Sequence, residues 1–284
     1  MSILAVNGLR KSYPGFTLRD ISFSLQEGAI TGFIGRNGAG KTTTLKSLLN
    51  FVHPDQGEVE FFGQRFSGHE LAIKEKIGFV SGAADFYPRQ KLATITSVTR
   101  RFYPHWDEAA YRRYLQMFDL DESKTPAQLS AGMKVKYALA LALSHRAELL
   151  ILDEPTSGLD PVSRDDLLDV FLDLTEQQEL TILFSTHITS DLEKCADHIL
   201  YIQEGRLLAD SGLEAFRASY RLVKLTEADR QRCPREQLIG CKRSKSGYTA
   251  LVPAAAPPLP GLETSGADLD AIMVHLDKEA QRHD

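Results

Sequence analysis

The run GRNGAGKTT, Gly35 to Thr43, follows the apolar stretch TGFI and fits the spacing G-x-x-x-x-G-K-[ST]. Gly35, Gly38 and Gly40 let successive backbone N–H groups turn toward one point, where phosphate oxygens can be held. Arg36, Asn37, Ala39 and Thr43 complete the loop. Lys41 would reach the β- and γ-phosphates of a nucleotide, and the Thr42 hydroxyl would bind Mg²⁺.

A second group of residues supplies acid–base chemistry. The apolar stretch LLILDEP delivers Asp153 and Glu154 to the end of a strand, the place where an open α/β sheet holds its ligand. Asp153 would hold the magnesium through its water shell, and Glu154 would take a proton from the attacking water. Together with the glycine-rich loop, this implies an ATP- or GTP-binding hydrolase. A third stretch, QLSAGMK, opens a long apolar helix with Ser130, Ala131 and Gly132. Small residues at a helix N-terminus leave its N–H groups open to an anion, so a second phosphate site is expected there.

The elements that must position these residues can be read from hydrophobic pattern. LAVNGL, ISFSLQEG and AITGFIG read as strands, and a helix is expected from about Lys41 to Phe51. Apolar strands alternating with helices, in ELLILDEP, LTILFST and HILYIQEG, indicate a parallel sheet covered on both faces. Asp160 before Pro161 reads as a helix cap followed by proline at the first helical position. Residues 84–145 are helical in pattern, with Tyr111, Tyr114, Leu115 and Phe118 on one face of a helix that Asp107 would cap. After Tyr220 the pattern weakens. RLVKLT and GYTALV read as strands, 253–261 as a proline-rich linker, and the last segment as a helix with Leu269, Ile272, Met273 and Leu276 on one face.

Composition narrows the class. Of 284 residues, 43% are hydrophobic and 25% charged, the balance of a soluble globular protein. The formal net charge of -5 carries no global footprint for nucleic acid, and no nucleic-acid partner is expected. No apolar run approaches the roughly 18 residues that mark a membrane helix. Cys195, Cys233 and Cys241 lack metal-site spacing and read as free thiols of a reducing cytosol.

The order of motifs resembles the ATP-binding subunits of ABC transporters over about residues 1–220. Six features carry the likeness: Tyr13 in KSYPG, the Gly35–Thr43 loop, LSAGM, LLILDEP, SGLD at 157–160, and His187 in STHI. The resemblance implies an α/β P-loop NTPase of ABC ATPase architecture. Its core sheet would be mixed or parallel, with an antiparallel β subdomain and a helical subdomain at about 84–145. Residues 221–284 would form a small accessory region. It further implies that Tyr13 stacks on adenine, that Asp160 belongs to the D-loop, and that His187 is the switch histidine. ATP and Mg²⁺ would be the ligands. Two such subunits would close head to tail, so that Ser130, Ala131 and Gly132 face the ATP of the partner ATPase, identical or related.

A looser likeness, in RRFYPHWDEAAYRRYLQMFDLD and STHITSDLEKCADHILYIQEG, points to ABC-2-type exporters, including those linked to antimicrobial or amphipathic peptides. An integral membrane subunit would then be a partner, docked near Phe102, Tyr103 and Trp106, and the ATPase would sit on the inner face of the cell membrane. Two departures stand out. Gly82 lies near the position where the family usually carries a glutamine, and Ala131 and Met133 replace the usual glycine and glutamine of the signature. A soluble ABC-type ATPase of the iron–sulfur assembly kind is the alternative, and an ATP-binding scaffold without turnover is a third reading.

Overall fold

The computed structural model describes residues 2–81, 86–178, 180–245, 247–257 and 259–281. The chain divides into two compact units, Met1–Asp210 and Ser211–Asp284. This boundary falls ten residues before the change of pattern at Tyr220.

The first unit opens with a long hairpin, β1 (Ser2–Tyr13) and β2 (Phe16–Gln26), whose alternating burial marks one face packed and one solvated. β3 (Ile30–Ile34) runs straight into the glycine-rich loop, and α1 (Lys41–Leu48) follows. Next come β4 (Gln56–Phe61), β5 (Gln64–Arg65), α2 (Glu70–Lys74) and β6 (Ile77–Ser81). The order β2-β1-β4-β5 forms an antiparallel sheet. Its buried side chains, among them Leu4, Val6, Leu9 and Phe61, pack with Leu45 and Leu48 of α1 and Phe33 of β3 into one core.

A helical stretch then comprises α3 (Leu92–Thr99), α4 (Glu108–Met117) and α5 (Ala131–Ser144). Asp107 caps α4 by accepting from the Ala110 N–H at 2.9 Å. The Ala110 N–H first, and then the Arg146 guanidinium at 3.2 Å, hold its carboxyl below the usual range. The expected face Tyr111, Tyr114, Leu115 and Phe118 is buried. Tyr111 and Tyr137 both reach the Thr96 hydroxyl, at 2.7 and 2.8 Å, so one buried polar knot ties α3, α4 and α5 together. α5 buries every residue from Tyr137 to Ser144, as a helix stretch apolar all round must.

β7 (Leu149–Asp153), α6 (Pro161–Gln178), β8 (Thr181–Thr186), α7 (Thr189–Cys195), β9 (His198–Gln203) and β10 (Arg206–Gly212) complete the main sheet, ordered β10-β9-β3-β8-β7-β6. From β9 to β6 the pairing is parallel. β3, β7 and β8 are buried at every position, which explains their largely apolar sequence. Register pairs Ile34 with Thr186 and Asp153 with Ser185, so the loops after β3, β7 and β8 emerge side by side at one edge.

In the second unit α8 (Leu213–Ala218) precedes a sheet of β11 (Tyr220–Leu225), β12 (Ile239–Ser244), β13 (Gly247–Pro253) and β14 (Thr264–Gly266), ordered β12-β13-β11-β14 and antiparallel. α9 (Glu227–Arg232) and α10 (Leu269–Ala280) are its other helices. The stretch 253–261, expected as a linker, lies within this unit, and its Leu259 is buried with Val223, Leu225 and Val252. α10 buries Leu269, Ile272 and His275, whereas Met273 and Leu276 are half-buried. The reason is a hydrogen bond: His275 Nδ1 lies 2.7 Å from the Gly240 carbonyl, which satisfies the ring's polar edge in the interior.

Candidate active site

The site begins with the loop that leaves β3. Gly40 takes φ 117° at the start of α1, a left-handed conformation that favours glycine. A Cβ there would lie 2.6 Å from Leu18 Cδ2. With the loop so turned, the Lys41 ammonium points back into it. Nζ donates to the carbonyls of Gly35 at 2.6 Å and Arg36 at 3.3 Å, and its side chain is 5% exposed. Arg36, Asn37 and Gly38 are exposed, while Ala39 is buried against the core.

β7 brings the acids to the same place. Asp153 is buried, and its Oδ1 accepts from the Thr42 hydroxyl at 3.0 Å and the Ser185 hydroxyl at 2.7 Å. Glu154 has φ 52°, an uncommon conformation for a non-glycine residue. Its N–H donates to Ser185 Oγ at 2.9 Å and to the Ser185 carbonyl at 3.1 Å. Held this way, its carboxylate bridges two partners. Oε1 is 3.1 Å from Lys41 Nζ, and Oε2 accepts from His187 Nδ1 at 2.8 Å. The carboxylate can only accept, so Nδ1 carries the proton.

Five of the residues singled out from sequence therefore converge: Lys41, Thr42, Asp153, Glu154 and His187. The structure adds Ser185, which fastens both acids and which sequence reasoning missed. Its signal was the polar pair Ser185–Thr186 following the apolar run ILF in the strand TILFST.

The other expected residues lie elsewhere. Tyr13 ends β1 opposite Phe16, 42% exposed, with Lys11 Nζ 5.7 Å from its ring centre. Ser130 caps α5, accepting from the Met133 N–H at 3.2 Å. Ser130 and Ala131 are exposed, and Gly132 packs beside Leu159 and Ser163. Asp160 caps α6, accepting from the N–H groups of Val162 and Ser163 and from the Ser163 hydroxyl. The Ser163 hydroxyl above all holds its carboxyl below the usual range. Of the three aromatics expected on a docking surface, Phe102 is 74% exposed. Tyr103 stacks on His145 at 3.9 Å, and Trp106 donates to Glu108. Gly82 lies outside the described residues.

A carboxylate and a hydroxyl held 3.0 Å apart offer the hard oxygen donors that Mg²⁺ takes, with water and phosphate filling its remaining positions. The donor set fits that ion.

Comparison with known proteins decides the family. The chain is 34% identical over 212 residues to the bacitracin transport ATP-binding protein BcrA of Bacillus licheniformis, covering 74% of this chain and 69% of that protein. It belongs to the ATP-binding subunits of ABC transporters. The sequence model of the ABC transporter family matches residues 18–157 of this ABC ATPase, a span that holds the loop, Asp153 and Glu154. The Nod factor export ATP-binding protein I of Burkholderia lata is 34% identical over 200 residues, covering 69% of this chain and 66% of that protein. A solved ATP-binding subunit of an ABC transporter superposes with a TM-score of 0.68 at 28% identity, covering 76% of this chain and 92% of that one. The expected fold class and ATPase identity thus hold. No described helix of this ABC ATPase is long and apolar enough to cross a membrane.

Proposed function

We propose that this ABC ATPase binds MgATP in the Gly35–Thr43 loop, hydrolyses it at an interface with a second ATPase subunit, and drives export through an integral membrane partner. One observation carries the hydrolytic reading: Glu154 is gripped between Lys41 and His187, at 3.1 and 2.8 Å. A triphosphate seated on the loop would take Lys41 at its β- and γ-phosphates. Glu154 then takes a proton from water as the water oxygen bonds to the γ-phosphorus, and the bond from that phosphorus to the ADP oxygen breaks. His187 holds the carboxylate in place. Thr42 and Asp153 would hold Mg²⁺, which supplies charge neutralisation at the phosphates. Tyr13, exposed at the end of its hairpin, offers a ring face for adenine.

The head-to-tail partner is supported by Ser130 and Ala131, exposed at the N-terminus of a fourteen-residue helix and carrying no bond to the Lys41–Glu154 cluster among the described residues. Asp160, at the tip of α6 beside them, belongs to the same partner-facing edge. Export, rather than uptake, is supported by the named activities of the bacitracin transport and Nod factor export relatives. A membrane partner would hold the subunit on the inner face of the membrane, with exposed Phe102 on the docking side.

Ser130→Arg tests the shared site. In a Glu154→Gln background, size-exclusion chromatography with ATP should show dimers, and adding Ser130→Arg should leave monomers that still bind nucleotide. Unchanged dimerisation would refute the partner-facing role of Ser130.

A further inference from the structure

Behind the catalytic residues lies a buried acid that the proposed chemistry does not use. Asp191, in the first turn of α7, is 1% exposed. Its Oδ2 accepts from the Thr156 hydroxyl at 2.6 Å and from the Thr186 hydroxyl at 3.5 Å. Thr156 stands two residues after Glu154, and Thr186 stands immediately before His187. Both threonines are fully buried. One carboxylate oxygen thus touches both segments that carry the hydrolytic pair.

The other oxygen faces α6. Asp191 Oδ1 lies 3.9 Å from Arg164 Nε, and neither atom makes a hydrogen bond. A carboxylate stripped of water is costly unless its lone pairs are filled, so the pair is close enough to attract and too far apart to bond. Burial pushes the Asp191 carboxyl up, against the pull of Thr156 and Arg164. Arg164 itself is tied to the D-loop: its N–H donates to the Asp160 carbonyl at 3.0 Å and its guanidinium to the Leu159 carbonyl at 3.4 Å. Packing of α7 on α6 does not depend on this contact. Lys194 bridges Asp165 and Asp169, and Leu192 is fully buried.

We propose that Asp191 is a positioning residue for hydrolysis, linking the D-loop through Arg164 to the segments that aim Glu154 and His187. The inference rests on the reading of Glu154 as general base. Movement of residues 157–160 against a partner subunit would shift Arg164 relative to Asp191. The change would reach Thr156 and Thr186 through a single carboxylate.

The test uses the full-length chain and four variants. Asp191→Asn keeps shape and can still accept from Thr156, yet turns an amide N–H toward Arg164 Nε, donor against donor. Thr156→Val removes the hydroxyl, and Thr156→Ser retains it. Misplacement of reacting groups by about 1 Å can cost on the order of 100-fold in rate, and a smaller shift costs less. Asp191→Asn and Thr156→Val should therefore lower kcat on the order of 10-fold or more, with KM for ATP, nucleotide Kd and melting temperature near wild type. Thr156→Ser should restore turnover. Wild-type kcat in Asp191→Asn overturns the proposal, as does a loss of kcat that only follows a loss of folded protein or of nucleotide binding. Glu154→Gln separates the two readings. If it turns over normally, the general-base assignment fails. If it is inactive while Asp191→Asn is wild type, only the role of Asp191 fails.

Discussion

Replacing Glu154 by glutamine should separate binding from chemistry, and the geometry sets the size of each effect. Glutamine keeps the length of the side chain and an acceptor oxygen, but it is no base at neutral pH. Loss of a general base costs about 10²-fold or more in turnover, equivalent to about 2.7 kcal/mol or more of barrier. Binding should move the other way. Lys41 Nζ is shared among the carbonyls of Gly35 and Arg36 and the Glu154 carboxylate at 3.1 Å, and a triphosphate must compete for it. A hydrogen bond to a charged group nets about 1.5–3 kcal/mol. The glutamine oxygen still accepts, so only part of that is released, and ATP should bind between equally well and about tenfold more tightly. Phosphate release at saturating ATP gives the first quantity, and titration with a fluorescent ATP analogue gives the second. Wild-type turnover would remove Glu154 from its role. Nucleotide binding weakened by about tenfold or more would show that the carboxylate supports the loop rather than competing for its lysine.

Two further substitutions probe the scaffold. Gly40→Ala places a Cβ 2.6 Å from Leu18 Cδ2 at φ 117°. Strain of about 1–3 kcal/mol should appear as about ten- to hundredfold weaker nucleotide binding, and an unchanged titration would show that the loop does not need this turn. Tyr137→Phe removes a phenol whose burial pushes its pKa to about 12 and which donates to the Leu92 carbonyl at 3.1 Å. Losing that bond and the one to the buried Thr96 hydroxyl at 2.8 Å costs about 1–3 kcal/mol, so the melting temperature should fall by about 2–4 °C per kcal/mol; no change would show that the Thr96 knot contributes nothing.

What the sequence revealed follows physical locality. The loop from Gly35 to Thr43 is legible because one short stretch must carry the turn, the cation and the hydroxyl together. Asp107 and Asp160 are legible as caps because a cap lies three residues from the N–H groups it serves. The apolar strands β3, β7 and β8 announce their burial on both faces. What escaped depends on pairing across the sheet. Ser185 meets Asp153 across 32 residues, and Asp191 meets Thr156 across 35. No periodicity within one segment encodes such contacts. On α10, Leu269 and Ile272 are buried as expected, but His275 escaped for a related reason. His275 reads as polar, and only the Gly240 carbonyl, 35 residues away, makes its burial tolerable. The same holds for 253–261, where prolines suggested a tether but Leu259 had a core to join.

Two glycines that look alike in sequence are explained differently by the structure. Gly40 is required by its own chain, since its conformation is left-handed and a side chain would strike Leu18. Gly132 is not: it lies in a regular helix, and a Cβ there would rest at 3.6 Å from Leu159 and Ser163, an ordinary contact. Alanine would also raise helix propensity at that position. The stability of this chain alone therefore gives no reason for glycine at 132. A reason outside the chain is available in the signature, where Ser130 and Ala131 stand exposed beside it and a helix N-terminus presents free N–H groups. The glycine that folding leaves unexplained lies at the one place where the proposed partner's phosphate would approach the backbone.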